Sequence, residues 1–421
     1  MRLGNANSVE QYLKTFSFAE EGNLSLLPAE GRATCVDNID IGGVRVPRYI
    51  NEFWTSKQRN ASSIQEISYR ACFKPQLPRF FIELVTERGD VVYDPFSGRG
   101  TTAVEAALLG RQVISNDVNP LSYIFAKPRI DIPVLEEVRS RLQNITIVES
   151  AKADLDLSMF FHPRTEAEIV FLQQYFYERQ EGGNEDRVDR WIRMVATNRL
   201  TGHSPGFFSV YTLPPNQAAS QKRQIKINEK RKQVPEYRDT KSLILKKSFR
   251  LLNRLSRQER ANLEGAASSA LFLDKGAKET TEIPDDTVQL TVTSPPFLDV
   301  VQYARDNWMR CWFNRIDMEA VEKKLTMATK IHAWSAVMQE VFIELFRVTK
   351  SGGWVAFEVG EVKNRTLNLD EYVVPLGIEA GFHCAGIIVN QQEFTKTSNI
   401  WGVNNNSTGT NTNRIVLFLK P

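Results

Sequence analysis

Two short stretches carry residue types able to do chemistry together. The first is Asp94-Pro95-Phe96-Ser97-Gly98-Arg99-Gly100-Thr101-Thr102, entered from the apolar run Val91-Val92-Tyr93. The second is Thr293-Ser294-Pro295-Pro296-Phe297, entered from Val288–Val292. In the first, an apolar run ends in an aspartate, glycines follow, and Thr101 to Leu109 is stopped by Gly110; the pattern predicts strand, tight turn, helix. Gly98 and Gly100 let backbone approach a ligand closely, because they lack a side chain and tolerate positive φ. The helix start behind them presents unpaired N–H groups and a positive dipole end. A carboxylate at the strand tip, Asp94, suits a cationic or hydroxyl-bearing ligand group. In the second stretch, consecutive prolines fix φ and lack N–H donors, so the turn offers acceptors with little freedom to collapse.

Positioning these turns requires alternating strands and helices. Strands are expected at Val91–Asp94, Gln112–Asp117, Ala270–Asp274, Val288–Thr293 and Trp354–Val359, closed by a pair at Gly386–Phe394 and Arg414–Leu419. Helices are expected over 101–109, after Asn119-Pro120, and over Ala333–Val348. This is a doubly wound pattern. It breaks off over 125–265, where charged helical sequence dominates around the loop Thr201–Gly206. Residues 1–50 read as an irregular extension with a short helix over 9–18 and a hairpin at Gly42-Gly43. Residues 51–89 read as helical, with Phe80, Phe81, Leu84 and Val85 on one side.

The chain has 421 residues, 42% hydrophobic and 24% charged, which fits two domains or one domain with a large insertion. No apolar run is long enough to cross a membrane, and the N-terminus lacks an apolar signal core. Cysteines 35, 72, 311 and 384 form no C-x-x-C pair and read as buried thiols of a reducing cytoplasm. Histidines 162, 203, 332 and 383 have no ligand spacing, so no metal is expected. Net charge is +3 but uneven: 11 Lys/Arg stand against 3 Asp/Glu between Gln221 and Arg250. Such a block is either a nucleic-acid contact or a solvated helix face.

The glycine turn alone leaves its ligand open. Gly98-x-Gly100-x-x-Ala103, with Asp117 19 residues beyond Gly98, also fits a dinucleotide fingerprint, and a purely structural turn is a third reading. Asp94-Pro95-Phe96 ahead of the glycines is unusual for a nicotinamide loop. Taken with Thr293-Ser294-Pro295-Pro296-Phe297, the turn resembles the amino-group DNA methyltransferases, which use S-adenosylmethionine to methylate exocyclic nitrogens. Ser-Pro-Pro-Phe is similar to the cytosine-N4 branch; the adenine-N6 branch more often has Asp or Asn at the position of Ser294.

The resemblance implies an α/β fold. It would have a Rossmann-like methyltransferase sheet with helices on both faces, a C-terminal antiparallel β-hairpin and a large, mainly helical insertion. The catalytic domain would comprise 51–129 and 266–421, after an N-terminal extension (1–50), with 130–265 as the DNA target-recognition region. For the cofactor it implies Asp94 near the methionine amino group, Pro95, Phe96, Ser97, Gly98, Gly100, Thr101 and Thr102 around it, Asp117 on ribose hydroxyls, and Asn119 beside them. Lys74 and Phe80 would lie at the methionine end. Asp274 would sit near the adenine amino group, although it also reads as a solvated loop residue.

The chemistry is consistent with this. A cytosine amino group is a poor nucleophile because its lone pair is delocalised into the ring. Acceptors aimed at its N–H bonds favour a pyramidal nitrogen, and Ser294 Oγ and the Pro295 carbonyl suit that task, with Pro296 stiffening the turn. Phe297 would stack on the base, which must leave the duplex to reach such a pocket. Lys222, Arg223, Lys226, Lys230, Arg231 and Lys232 would neutralise phosphates. Trp401, in the Asn/Thr-rich loop Ser398–Asn413, would contact DNA. Phe207, Phe208 and Tyr211 are core residues or base probes; Trp308 and Trp312 are core. Adenine-N6 methylation, an RNA amino-methyltransferase and a non-catalytic nucleic-acid-binding protein remain as alternatives. Carbon-5 methylation needs a thiolate, typically after proline, and no Pro-Cys dipeptide occurs. The expected setting is a bacterial or phage-type, nucleoid-associated cytoplasmic enzyme acting on double-stranded DNA, alone or beside a cognate restriction endonuclease.

Overall fold

The computed structural model describes residues 3–17, 33–54, 61–70, 72–147, 151–296, 303–324, 330–359, 361–362, 367–391 and 412–421. Phe297, Trp401 and the loop 398–411 lie outside the described residues.

The chain begins with α1 (Ala6–Thr15), the hairpin β1 (Cys35–Ile41) and β2 (Val44–Asn51), and α2 (Gln76–Val85). Then come β3 (Val91–Asp94), α3 (Thr101–Leu108), β4 (Gln112–Asn116) and α4 (Leu121–Ile130). A run of helices follows: α5 (Leu135–Asn144), α6 (Pro163–Glu181), α7 (Arg187–Arg199), α8 (Gln221–Arg231), α9 (Thr240–Leu252) and α10 (Arg257–Ala267). Next are β5 (Leu271–Leu273), β6 (Val288–Thr293), α11 (Tyr303–Phe313), α12 (Met318–Lys324), α13 (Ile331–Val348) and β7 (Thr349–Val359). The two-residue pair β8 (Glu361–Val362) and β9 (Leu367–Asn368), α14 (Leu369–Glu379), β10 (His383–Gln391) and β11 (Thr412–Leu419) close the chain.

One sheet runs β1-β2-β10-β11-β7-β6-β3-β4-β5. Strands β7, β6, β3, β4 and β5 are parallel. Strand β11 enters antiparallel between β7 and β10. This is an open, Rossmann-like α/β sheet with a closing antiparallel pair. Its central strands are buried on both faces; β6 is buried along its whole length although Gln289, Thr291 and Thr293 alternate with its apolar residues. Side chains alternate: Val92, Leu290, Trp354 and Leu417 join a core with Phe81, Val104, Phe125 and Trp191. Tyr93, Val355, Phe357 and Phe418 join a second core with Trp334, Phe342 and Val373. The first core therefore lies under α2, α3, α4 and the inserted helices, and the second under α13 and α14.

Two expectations are corrected. Residues 35–51 are not part of an irregular extension: β2 pairs in parallel with β10, so the hairpin carries the sheet past its C-terminal pair. The turn at Gly42-Gly43 is as expected, both glycines having positive φ, but the strand it pairs with is some 340 residues away in sequence. Nor is 51–89 mainly helical. Among the described residues of this segment, apart from one 3-10 turn at Ser63–Gln65, helix starts only at Gln76. The segment 64–68 is an irregular strap whose carbonyls are bonded by cationic and amide side chains. Arg129 donates to Ile64 O, Arg99 to Gln65 O and Ile67 O, Lys247 to Glu66 O, and both Asn198 and Arg310 to Ser68 O. Irregular backbone packed inside a protein must find such partners, and here they come from five different elements.

The cysteines are free, with Cys35 exposed, Cys72 and Cys384 half-buried and Cys311 buried, so the expectation of four buried thiols holds only for Cys311. Burial pushes the thiols of Cys311 and Cys384 up to about 12, which makes them poor nucleophiles. Among the described residues no helix is long and apolar enough to cross a membrane.

Candidate active site

The site is built where β3 and β6 end side by side, in register at Val92↔Leu290 and Tyr93↔Thr291. Asp94 closes β3 and is 1% exposed. Its Oδ1 accepts the Thr293 hydroxyl at 2.7 Å and the Phe96 N–H at 3.1 Å. Thr102 also reaches Asp94 and donates to Val292 O at 3.1 Å. Turns 199 residues apart in the chain are thus bonded directly. Burial raises the Asp94 pKa to about 7, against hydrogen bonds from Thr293, Phe96 and Thr102 that lower it; the charge of Asp117 adds to the rise.

The glycine turn needs its glycines. Gly98 and Gly100 have φ of +54° and +78°, and a Cβ on Gly100 would lie 2.5 Å from Ala126 Cβ on α4. Gly100→Ala should cost about 2–5 kcal/mol from left-handed strain plus overpacking, read as a lowered midpoint in a thermal melt; an unchanged midpoint would contradict this geometry. Ser97 is held from below, its N–H on Asn116 O at 3.0 Å and its Oγ accepting Ser115 Oγ–H at 2.7 Å. Phe96 packs against the second core, and Thr101 is buried at the start of α3.

Asp117 follows β4. It accepts the Gly98 N–H at 2.7 Å and the Asn119 N–H at 2.9 Å, and burial raises its pKa to about 6 against those two bonds. Asn119 Oδ1 in turn accepts the Leu121 N–H at 3.0 Å and starts α4. Asp117, Asn119, Phe272 and Asp274 line one cavity of about 480 Å³. The same cavity is lined by Glu185 and Asp317, by the cations Arg193, Arg315 and Lys324, and by Tyr123; its size and its acceptors suit an adenosine-sized ligand with hydroxyl and amino groups to donate. Asp274 is exposed at its edge.

The second turn is clamped on both sides. Trp334 Nε1 on α13 donates to Pro296 O at 3.0 Å. The Ser294 hydroxyl bonds Glu358, at the end of β7, whose carboxylate also accepts Asn413 Nδ2 at 2.6 Å. Burial pushes the Glu358 carboxyl up, with Ser294 and Asn413 opposing. Pro295 is buried. Glu358 was missed in the sequence. Its signal is a lone carboxylate inside Trp354–Val359, an otherwise uncharged strand, where a buried charge calls for a specific partner.

Other predicted residues are placed differently. The ring of Phe80 packs in an aromatic cluster with Phe16, Phe53, Trp54 and Phe81 at centroid distances of 5.2–5.9 Å, which ties the N-terminal segments to α2. Lys74 is exposed just ahead of α2. Lys222, Arg223, Lys226, Lys230, Arg231 and Lys232 are all exposed on or at the end of α8. The loop ahead of α8 is tied to α11, which follows the second turn: Ala218 N–H donates to Asp306 O at 2.9 Å and Trp308 Nε1 to Ala219 O at 3.1 Å. Phe207 and Phe208 are core; Tyr211 is exposed under the Arg231 guanidinium, 3.7 Å from its ring centroid. Among the described residues no group of three His, Cys, Asp or Glu side chains could hold a metal.

Residues 37–124, which contain the first turn, match a family model described as DNA methylase. Over 296 residues the chain is 24% identical to the type II methyltransferase M.MvaI of Kocuria varians, covering 64% of this chain and 60% of that one. Over 301 residues it is 22% identical to the type II methyltransferase M.BsoBI of Geobacillus stearothermophilus, covering 63% and 55%. The chain therefore spans less than two thirds of these relatives. A shorter similarity, 33% over 63 residues, covers 15% of this chain and 18% of a tRNA (guanine(10)-N2)-dimethyltransferase of Methanocaldococcus jannaschii. Among solved structures, a SAM-dependent methyltransferase from Methanosarcina mazei is 10% identical, covers 80% of this chain and 94% of its own, and has a TM-score of 0.31.

Proposed function

We propose that this protein is an S-adenosylmethionine-dependent DNA methyltransferase that acts on an exocyclic amino nitrogen, N4 of a cytosine turned out of the duplex. The observation that carries the reading is the 2.7 Å hydrogen bond from Thr293 to Asp94, which fastens a donor-type turn to an acceptor-type turn at adjacent strand ends. The match to the DNA methylase model over 37–124 and the similarity to two type II methyltransferases support it. The tRNA-enzyme similarity falls on only 63 residues and is equally compatible with amino-group transfer.

Bound S-adenosylmethionine supplies an electrophilic methyl group on a sulfonium. The chain supplies position. Asp94 offers a buried negative charge to the ammonium end, and Asp117 and Asn119 line the nucleoside side. Ser294 gives its hydroxyl hydrogen to Glu358, so Oγ faces the incoming amino group as an acceptor. The Pro295 carbonyl is the second acceptor, and the two together draw electron density onto the nitrogen. Orientation within the clamped turn then contributes much of the rate. The carboxylates of Asp94 and Asp117 at neighbouring strand ends and the exposed basic helix α8 give one chain a place for a cationic cofactor and a place for a polyanion.

Labelled cofactor, duplex DNA and the purified chain, followed by nucleoside analysis, test this directly. Labelled N4-methylcytosine is expected. N6-methyladenine would move the acceptor to the other branch, and label on RNA but not on DNA would overturn the DNA reading. Glu358→Gln should lower kcat about 10–100-fold, the range for a hydrogen bond to a charged group, because the new amide N–H competes for Ser294 Oγ. Cofactor KM should stay unchanged and the acid limb of the kcat–pH profile should flatten. An unaltered pH profile would leave Glu358 a packing residue.

A further inference from the structure

Beside the glycine turn, on the far side of Tyr69, a second cleft of about 560 Å³ opens between the strap 65–69, the end of α7, the loop 204–216 and α9. Four cations line it: Arg99 from the glycine turn, Arg199 from α7, and Lys247 and Arg250 from α9. One carboxylate, Glu66, is on the same wall, 3.4 Å from Lys247 and 3.8 Å from Arg250. Bonds to strap carbonyls satisfy donors on Arg99 and Lys247 but cancel no charge. Arg199 is more telling. It is 9% exposed, lies 4.0 Å from the Phe207 ring centroid and bonds Asn198 Oδ1 at 2.6 Å. Its Nε has no hydrogen-bond partner among the described residues. A buried guanidinium with an unused donor beside three other cations is costly unless an anion completes it. The strain is visible in Lys247, whose pKa falls to about 8 through burial and the nearness of Arg199 and Arg250, and in Arg199, which falls to about 10.

We propose that this cleft is an oxyanion site that seats a backbone phosphate of the nucleic-acid substrate. The inference rests on the DNA reading above. Arginine is suited to it, since its planar fork meets two phosphate oxygens at once. The position is apt as well. Tyr69 stands between this cleft and the glycine turn: an added Cβ on Gly98 would lie 4.0 Å from its ring, and Asn119 Nδ2 reaches its hydroxyl at 3.4 Å. A phosphate held here anchors the substrate strand against the back of the cofactor turn. This differs from the expected contacts on α8: those side chains are exposed, whereas Arg199 and Lys247 are buried and held by neighbouring groups.

The test compares Arg199→Gln and Arg250→Gln with the unaltered chain. Duplex-DNA affinity is measured across a salt series, and S-adenosylmethionine affinity separately. Arg250 is largely exposed, so its variant tests the site even if Arg199→Gln folds poorly. The expected result is DNA binding weakened about 5–20-fold at low salt, a log Kd against log salt slope reduced by about 1, and unchanged cofactor affinity. Unchanged DNA affinity and slope in folded variants would overturn the proposal. So would lost cofactor affinity with intact DNA binding, which would assign the anion to the cofactor's carboxylate. If the unaltered chain binds no DNA, the functional reading itself has failed, which the same salt series reports before any variant is compared.

Discussion

Asp94→Ala should weaken S-adenosylmethionine binding by about 100–1000-fold, the scale of removing one partner from a buried charge pair. The carboxylate is buried at the strand tip, and what it lacks is a cation: its hydrogen bonds come from neutral groups, Thr293, Thr102 and the Phe96 N–H. Asp94→Asn keeps an acceptor for Thr293 and separates loss of charge from loss of structure; it should fold normally and still bind poorly. Titration calorimetry reads both. Binding equal to the unaltered chain in the Asn variant would remove Asp94 from the cofactor site.

The same residue sets a pH dependence. Its pKa in the ligand-free protein is about 7 because burial disfavours the charged form. A cationic ligand group prefers the ionised form, so affinity should rise about tenfold per unit as pH climbs towards 7 and then level off. Asp117, near 6, steepens the rise at the acid end. Folding responds with the opposite sign. The folded pKa lies above the ordinary value of 3.8, so the contribution of Asp94 to the stability of the ligand-free chain is greatest below that value. This contribution is lost as pH rises through the window from about 4 to 7. The cofactor should restore that loss, so the thermal shift on adding it should be larger at pH 7.5 than at pH 5.5. An equal shift at both would contradict the linkage.

Ser294→Ala should lower kcat for methyl transfer by about 100–1000-fold, comparable to removing one preorganised group that acts mainly in the transition state. The turn itself should survive, because Pro295 and Pro296 restrict its φ angles and Trp334 holds the Pro296 carbonyl. Cofactor KM and DNA Kd should therefore stay close to those of the unaltered chain, and single-turnover kinetics separates the chemical step from binding. A variant with equal loss in KM and none in kcat would mean that Ser294 binds the base without activating it. Asp at this position should fare no better than Ala, since it would bring a second carboxylate against the buried Glu358.

Both turns were legible in the chain because their signals are local. Apolar runs that end in Asp94 and Thr293, glycines where φ is positive, and prolines where donors are unwanted each specify a conformation within a few residues. That local grammar also implied parallel strands with helices between them, and a closing pair at the C-terminus. Tertiary structure alone decided who meets whom. Glu358 reaches Ser294 only because β7 lies beside β6, and Thr293 reaches Asp94 only because β6 lies beside β3. The hairpin 35–51 read as part of an N-terminal extension because its partner, β10, is distant in sequence. The aromatic cluster around Phe80 was hidden for the same reason, as its members come from segments that periodicity cannot assign to it. The basic cleft was hidden too: Arg99, Arg199, Lys247 and Arg250 are scattered along the chain and gather only around an irregular strap whose carbonyls needed donors. Backbone conformation answers to neighbours in sequence; charge, burial and pairing answer to neighbours in space.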